Sequence, residues 1–226
     1  MKTTLVLFFS MTLVLSIVMP MQAQKTLVEG AVSYVVTEVS GDGMEAAMMR
    51  GSEQTFFFSD DYQKMDVQLL NGSVHVQVIS ENNGNNSLVM MDGLMGKVMV
   101  RSDESSAKNN MVIPNYEITY NKNDKRKIAG FDCHKATLIA PDGSIFIFYV
   151  TDQIKPKNSF VQKMFKGLIG FPLEYTLNRE GLKLTYKAQN VIDEYDKGVF
   201  NPTTQGFKEV TPDQWQKMFG KLDLGM

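Results

Sequence analysis

Short alternating apolar segments, each ending in a turn signal, constrain this chain more than any other feature. "YQKMDVQLL" runs through Asn71 and Gly72 into "SVHVQVIS". There Val74, Val76 and Val78 share one face, and Ser73, His75, Gln77 and Ile79 the other. "FDCHKATLI" and "SIFIFYVTD" flank Pro141 to Gly143. "FPLEYTL" and "LKLTYKAQNV" flank an "NREG" loop in which Gly181 suits a left-handed position. "TFFFSD" stands before the first of these pairs, across an acidic turn at Asp60 and Asp61. A Val-rich strand over Thr26 to Val39 opens the series, with Gly30 where it can bend or bulge. "SLVMMDGLMGKVMV" reads as two short strands around Asp92 and Gly93, and "NYEITYNKNDKRK" as a strand running into a basic turn. The pattern predicts a mainly β protein, one antiparallel meander of about nine to eleven strands.

Helix signals are few. "SFVQKMFKGL" spaces Phe160, Met164 and Leu168 for one short helix. "TPDQWQKMFGK" is stronger: Thr211 can cap, Pro212 fits the first turn and Gln214 completes a capping box. "GDGMEAAMMRG" reads only as an interruption, and "RSDESSAKNN" as a polar loop.

The N-terminus has the order of a secretory signal peptide. Lys2 is followed by the apolar run Leu5 to Met19, then Pro20 and small Ala23. The run is shorter than the roughly 20 residues of a spanning helix. The expectation is a signal peptide over 1–23 and a single β-rich domain over 24–226, exported to the periplasm or associated with the outer membrane. With no cysteine near the cleavage position, no lipid anchor is expected. Cleavage removes one positive charge, taking the net charge from -2 to -3. That balance argues against a nucleic-acid partner. The one cysteine cannot form an internal disulfide, so the domain must hold together by burial and strand pairing.

Cys133 and His134 are adjacent, which suggests chemistry. On a strand, however, successive side chains point to opposite faces, so the two cannot form a nucleophile–base pair or share a metal locally. Only His75 is left as a second histidine, and structural or catalytic metal sites need three or four ligands. Cys133 therefore reads as a small buried strand residue. The sequence also has no G-x-S-x-G, H-E-x-x-H, P-loop or Rossmann glycine pattern. The expectation is a non-enzyme with no cofactor and no metal. Asp60–Asp61 and Asp193–Glu194 read as solvated charge. Glu174, facing away from Tyr175, could edge a pocket.

Two clusters keep alternatives open. Met44, Met48 and Met49, with Met90, Met91, Met95 and Met99, read either as soft thioether ligands for copper(I) or as a deformable apolar surface. Lys122, Lys125, Arg126 and Lys127 read as a wet turn or as a contact for anionic lipid headgroups.

Three motifs together resemble a known family. "IAGFDCHKA" is similar to an I-x-G-[FY]-x-C-x-K motif, "GFPLEY" follows about forty residues later, and "VFNPTTQGFKEVTPDQWQKM" is similar to its F-x-x-P…G-[FY]-x-x-[VI] close. The order resembles the exported bacterial DUF4412 family and, more distantly, the LolA-like and LppX-like lipoprotein-carrier fold. The likeness runs from Val28 to Met218. It implies an open antiparallel half-barrel, with helices over an apolar cavity, and no catalytic residue.

The residues lead to a similar place without the resemblance. A meander of this width twists too strongly to stay flat. Its apolar positions, Phe56 and Phe58, Met65 and Val67, Phe146 and Phe148, Tyr175 and Leu177, then line either a cavity or a filled core. The cavity implies binding of a lipid or other amphiphile, with peripheral membrane contact. The alternative function is a structural or protein-interaction module with an envelope protein as partner.

Overall fold

The computed structural model describes residues 26–84, 86–94, 96–103, 114–179 and 181–219. The expected signal peptide, Met95 and the polar loop after Asp103 lie outside the described residues. The chain runs β1 (Gly30–Ser40), α1 (Met44–Met49), β2 (Glu53–Phe58), β3 (Tyr62–Leu69), β4 (Val74–Glu81), β5 (Asn86–Gly93) and β6 (Gly96–Asp103). It continues with β7 (Glu117–Ile128), β8 (Phe131–Ile139), β9 (Ile145–Thr151), α2 (Phe160–Met164), β10 (Phe171–Arg179) and β11 (Leu182–Ile192). A single 3-10 turn (Lys197–Phe200), β12 (Lys208–Glu209) and α3 (Pro212–Phe219) complete it.

All twelve described strands form one sheet in the order β12-β6-β5-β4-β3-β2-β1-β11-β10-β9-β8-β7. Two meanders, β1 to β6 and β7 to β11, join where β1 pairs antiparallel with β11. Only β12, beside β6, is parallel within the sheet. The two edges do not pair with each other, so the sheet is an open half-barrel, the architecture that the carrier-fold resemblance implies and one of the two that the strand pattern left open. The strand count exceeds the expected range because β12 is a two-residue strand on a stretch with no alternating pattern.

The local signals explain the elements. Asn71 and Gly72 turn β3 into β4 with positive φ at Leu70, Asn71 and Gly72, and Gly72 N–H donates to the Leu69 carbonyl at 3.0 Å. The Pro141–Gly143 turn joins β8 to β9, with Asp142 Oδ1 accepting from Ser144 N–H at 2.9 Å. At α3, Thr211 Oγ1 accepts from Gln214 N–H at 3.2 Å and Gln214 Oε1 accepts from Thr211 N–H at 3.0 Å, a reciprocal capping box. Gly30 sits where the chain passes so close to Ile192 that an added Cβ would lie 2.6 Å from its carbonyl oxygen.

Three expectations are corrected. "MEAAMM" is a helix, α1, with Ala46 and Met49 buried at i, i+3 spacing. "NKNDKRK" belongs to β7 and not to a turn; a bulge between Asn121 and Lys125 absorbs the break, and the turn comes later at Ala129 and Gly130, both with positive φ. The turn between β5 and β6 lies after Gly93, which itself pairs with Gly96.

One main core lies on the concave face. It draws buried side chains from both meanders, among them Val32, Phe56, Val76, Leu138, Phe148 and Tyr186. Residues of α2 and of the following loop (Val161, Phe165, Leu168) and Phe219 of α3 pack into the same cluster. Among the described residues no helix is long and apolar enough to cross a membrane.

Candidate functional site: the concave face and its cover

Period-two alternation sends one set of side chains from every strand into the concavity. Phe56, Phe58, Met65, Val67, Phe148 and Tyr175 are buried there, and Phe146 and Leu177 pack partly buried against the same cluster. Cross-strand register brings them together: Phe56 stands opposite Met65, and Tyr175 opposite Phe148. Phe56 stacks on Phe58 at 5.6 Å and on Phe171 at 5.8 Å between ring centroids. Tyr175 stacks on Tyr186 at 4.9 Å and on Phe148 at 5.9 Å. These contacts form a continuous aromatic surface across the junction of the two meanders.

The α2 segment covers it. Phe160 meets Phe56 edge-on at 6.2 Å, and Phe165 meets Phe148 at 4.8 Å and Phe146 at 5.6 Å. Polar ties hold the segment at each end. Asn158 Nδ2 donates to the Asn82 carbonyl at 2.5 Å, and Ile169 N–H donates to Tyr120 Oη at 2.7 Å. Gly167 and Gly170, both with positive φ, carry its exit into β10. α2 is a single short helix, while Ile169 beside it is 68% exposed.

Polar groups inside are few. Tyr34 Oη donates to the Pro172 carbonyl at 2.8 Å, and Gln54 Nε2 donates to Tyr175 Oη at 2.7 Å. Burial pushes both tyrosine hydroxyls well above their ordinary pKa, with neighbouring Tyr175 adding at Tyr34 and neighbouring Tyr186 at Tyr175, where the Gln54 hydrogen bond opposes. Gln63 on β3 is fully buried in the same phase as Met65 and Val67. Sequence reasoning missed it, although a glutamine in the apolar phase of "YQKMDVQLL" was the available signal.

The outer face carries charge. Glu174 is largely buried and pairs with Arg126 and, at 3.3 Å, with Lys187; Arg126 also lies 3.8 Å over the Tyr149 ring. The Glu174 carboxylate therefore edges an ion-pair cluster, not the concavity. Of the basic residues of "NKNDKRK", Arg126 is thereby engaged, whereas Lys122, Lys125 and Lys127 lie exposed on the edge strand β7. Like charges there discourage pairing of β7 with a second copy of itself.

Cys133 is 2% exposed in the main core, while the His134 ring lies against Tyr120 at 5.9 Å. Burial, with the charges of Asp132 and Glu174, pushes the Cys133 thiol up to about 12, against an opposing Ile128 backbone hydrogen bond. Met90 and Met99 pair across β5 and β6 and are buried; Met91, next in sequence, points to the opposite face and joins the main core. Met44 is exposed.

The segment after β11 crosses the outer face as a strap. Tyr195 Oη donates to the Phe58 carbonyl at 2.9 Å, Phe200 stacks on Tyr62 at 5.7 Å, and β12 pairs with β6. Between the strap and strands β4 to β6 lies a groove of about 650 Å3, with Ile79 and Leu88 beside Phe200 and Pro202, and with Glu81 and Arg101 among its polar groups.

No family model matches the chain, and no curated protein is similar to it. Among solved structures it is similar to that of MucB, at 12% identity and a TM-score of 0.43, over 80% of this chain and 59% of that one. It is also similar to a DUF1329 family protein from Desulfovibrio piger, at 11% identity and a TM-score of 0.18, over 78% of this chain and 88% of that one. The chain thus spans less than two thirds of the MucB chain. Neither similarity assigns a function.

Proposed function

We propose that this is an exported, non-catalytic envelope protein that takes up a lipid or other amphiphile between the concave face of its half-barrel and the α2 segment. One observation carries the reading. The concave face is apolar and aromatic across both meanders, and over Phe56 and Phe148 it is covered by a short helix and loop instead of a second sheet. Moving that segment exposes a ready apolar surface, with Phe56, Phe58, Met65, Val67, Phe146, Phe148, Tyr175 and Leu177 as its lining. Area burial, at about 25 cal/mol for each Å2, supplies the driving force for a single acyl chain. The sequence features behind export are the apolar run and Ala23, and N-terminal sequencing of the cell-derived protein should find a start near Gln24. Uptake is tested with a fluorescent fatty acid. A folded wild type that enhances no probe fluorescence excludes the carrier reading.

A second reading is a protein-interaction module. It is favoured by β7, a twelve-residue edge strand whose far side pairs with no strand among the described residues. Native mass spectrometry of protein purified from an envelope fraction separates the two: bound lipid supports the first, a stoichiometric protein partner the second.

A further inference from the structure

This inference rests on the amphiphile reading and concerns the ligand's head. Among the described residues, five buried side-chain polar atoms have no hydrogen-bond partner: Gln63 Oε1 and Nε2, Asn82 Oδ1, Ser159 Oγ and Ser52 Oγ. Unpaired buried polar groups are expensive, so a gathering of them needs a reason. The first four gather at one end of the concave face. Gln63 stands opposite Phe58 on β2 and opposite Ser80 on β4, and Asn82 follows two residues beyond Ser80. Ser159 is held over those rows by the residues on either side of it. Asn158 is bonded to Asn82, and Phe160 packs on Phe56, two residues along β2 from Phe58. Gln63 is 0% exposed and Ser159 2%. A surface hollow of about 270 Å3, whose lining includes Asp60, Asp61, Asn82 and Lys157, lies at the same end.

We infer that this end is a head-group subsite, and that the ligand is a single-chain amphiphile ending in an uncharged group that both donates and accepts: a protonated carboxylic acid or a primary amide. The Gln63 amide offers one donor edge and one acceptor edge, which an acid or amide meets with two parallel hydrogen bonds. The Ser159 hydroxyl can add a third. An ester supplies acceptors only and leaves Gln63 Oε1 unpaired. A carboxylate would bring a charge beside a fully buried glutamine whose cross-strand neighbours, Phe58 and Ser80, carry none. The apolar chain then lies along the row from Phe58 towards Phe56 and Phe148.

The test is displacement of anilinonaphthalene sulfonate by palmitamide, palmitic acid and methyl palmitate. Wild type should prefer palmitamide to the ester by about tenfold or more. Palmitic acid should lose affinity as pH rises, while palmitamide does not. Gln63→Leu, checked as folded by circular dichroism, should erase the preference and keep ester binding; Ser159→Ala should reduce the preference and serves where the first variant does not fold. If the amide and the ester compete equally in wild type, or if the preference survives in the folded variants, the head-group inference fails and the amphiphile reading stands. If nothing displaces the dye and none of the three ligands is bound, both fail.

Discussion

The ring of Phe165 meets that of Phe148 edge to face, 4.8 Å between centroids, and this contact joins the α2 cover to the floor of the half-barrel. Phe165 comes from the loop after α2, and Phe148 from the middle of β9. Phe165 also reaches Tyr116 at 5.4 Å, so one side chain seals the cover to both β9 and the segment leading into β7. Phe165→Ala should cost about 3 kcal/mol or more of stability, through lost burial and the cavity left behind. It should also raise uptake of an apolar dye, because the concave face loses part of its cover. Urea unfolding and dye fluorescence measure the two effects. A folded variant that takes up less dye would mean that Phe165 forms the binding surface and does not cover it.

The two faces of β9 make an internal control. Phe148 is 0% exposed, and Ile147, next to it, is 36% exposed on the outer face. Phe148→Asp puts an unpaired charge into the core and should cost more than about 4 kcal/mol, enough to unfold a marginal domain. Ile147→Asp should stay within about 1 kcal/mol. Equal losses in the two variants, read from urea midpoints, would mean that the outer face of β9 is as closely packed as the inner one.

The hairpins were legible because their signals are local. Asn71–Gly72, Pro141–Gly143 and Gly181 each fix a turn within a few residues, and alternation then fixes which side chains share a face. Phe56 with Met65, and Tyr175 with Phe148, follow from that alternation plus pairing. What was not legible depends on distant partners. Glu174 looked like a pocket edge because Arg126, its counter-charge, lies 48 residues away. The strand β7 looked finished at "NKND" because Asn and Asp usually mark turns; here Asn121 Oδ1 accepts from Asn123 and Asp124 N–H and builds a bulge inside the strand. The α1 helix is six residues long between glycines, too short for its period to stand out. The aromatic cover was only half visible: Phe160 and Leu168 have helical spacing, but Phe165 gains its role from Phe148 on another element.

The raised pKa values predict a loss of stability in alkali. Burial pushes the Cys133 thiol and the Tyr186 hydroxyl each up to about 12. The folded pKa lies above the unfolded one, so the contribution is full below about pH 8.5 for the thiol and is lost as pH climbs towards 12. Cys133→Ala should make the decline between those limits shallower. In the same range the native thiol should resist iodoacetamide until the domain opens. Fast alkylation of folded protein at pH 8 would show that Cys133 is a reactive group, contrary to its place in the core. Cys133→Ser, which sets a hydroxyl in that site, should cost about 1 kcal/mol or a little more.

The outer face gives the opposite dependence at low pH. Asp66 accepts from His75 Nε2 at 2.6 Å and pairs with Lys64 Nζ at 3.0 Å. Partial burial works to raise its pKa, but the hydrogen bonds and charges of His75 and Lys64 outweigh it and hold the carboxyl below its ordinary value of 3.8. A depressed carboxylate contributes stability that is present above the unfolded pKa and is lost as pH falls through the folded one. Asp66→Asn should therefore be less stable than wild type near neutrality by about 1 to 3 kcal/mol, the range for losing a charge-assisted hydrogen bond and leaving Lys64, which is 6% exposed, without its partner. The gap should narrow as pH drops below about 4, where the wild-type carboxyl begins to protonate. Urea unfolding at a series of pH values measures it. A gap that stays constant down to acid unfolding would show that Asp66 stabilises the outer face by its shape and packing, and that its charge contributes nothing.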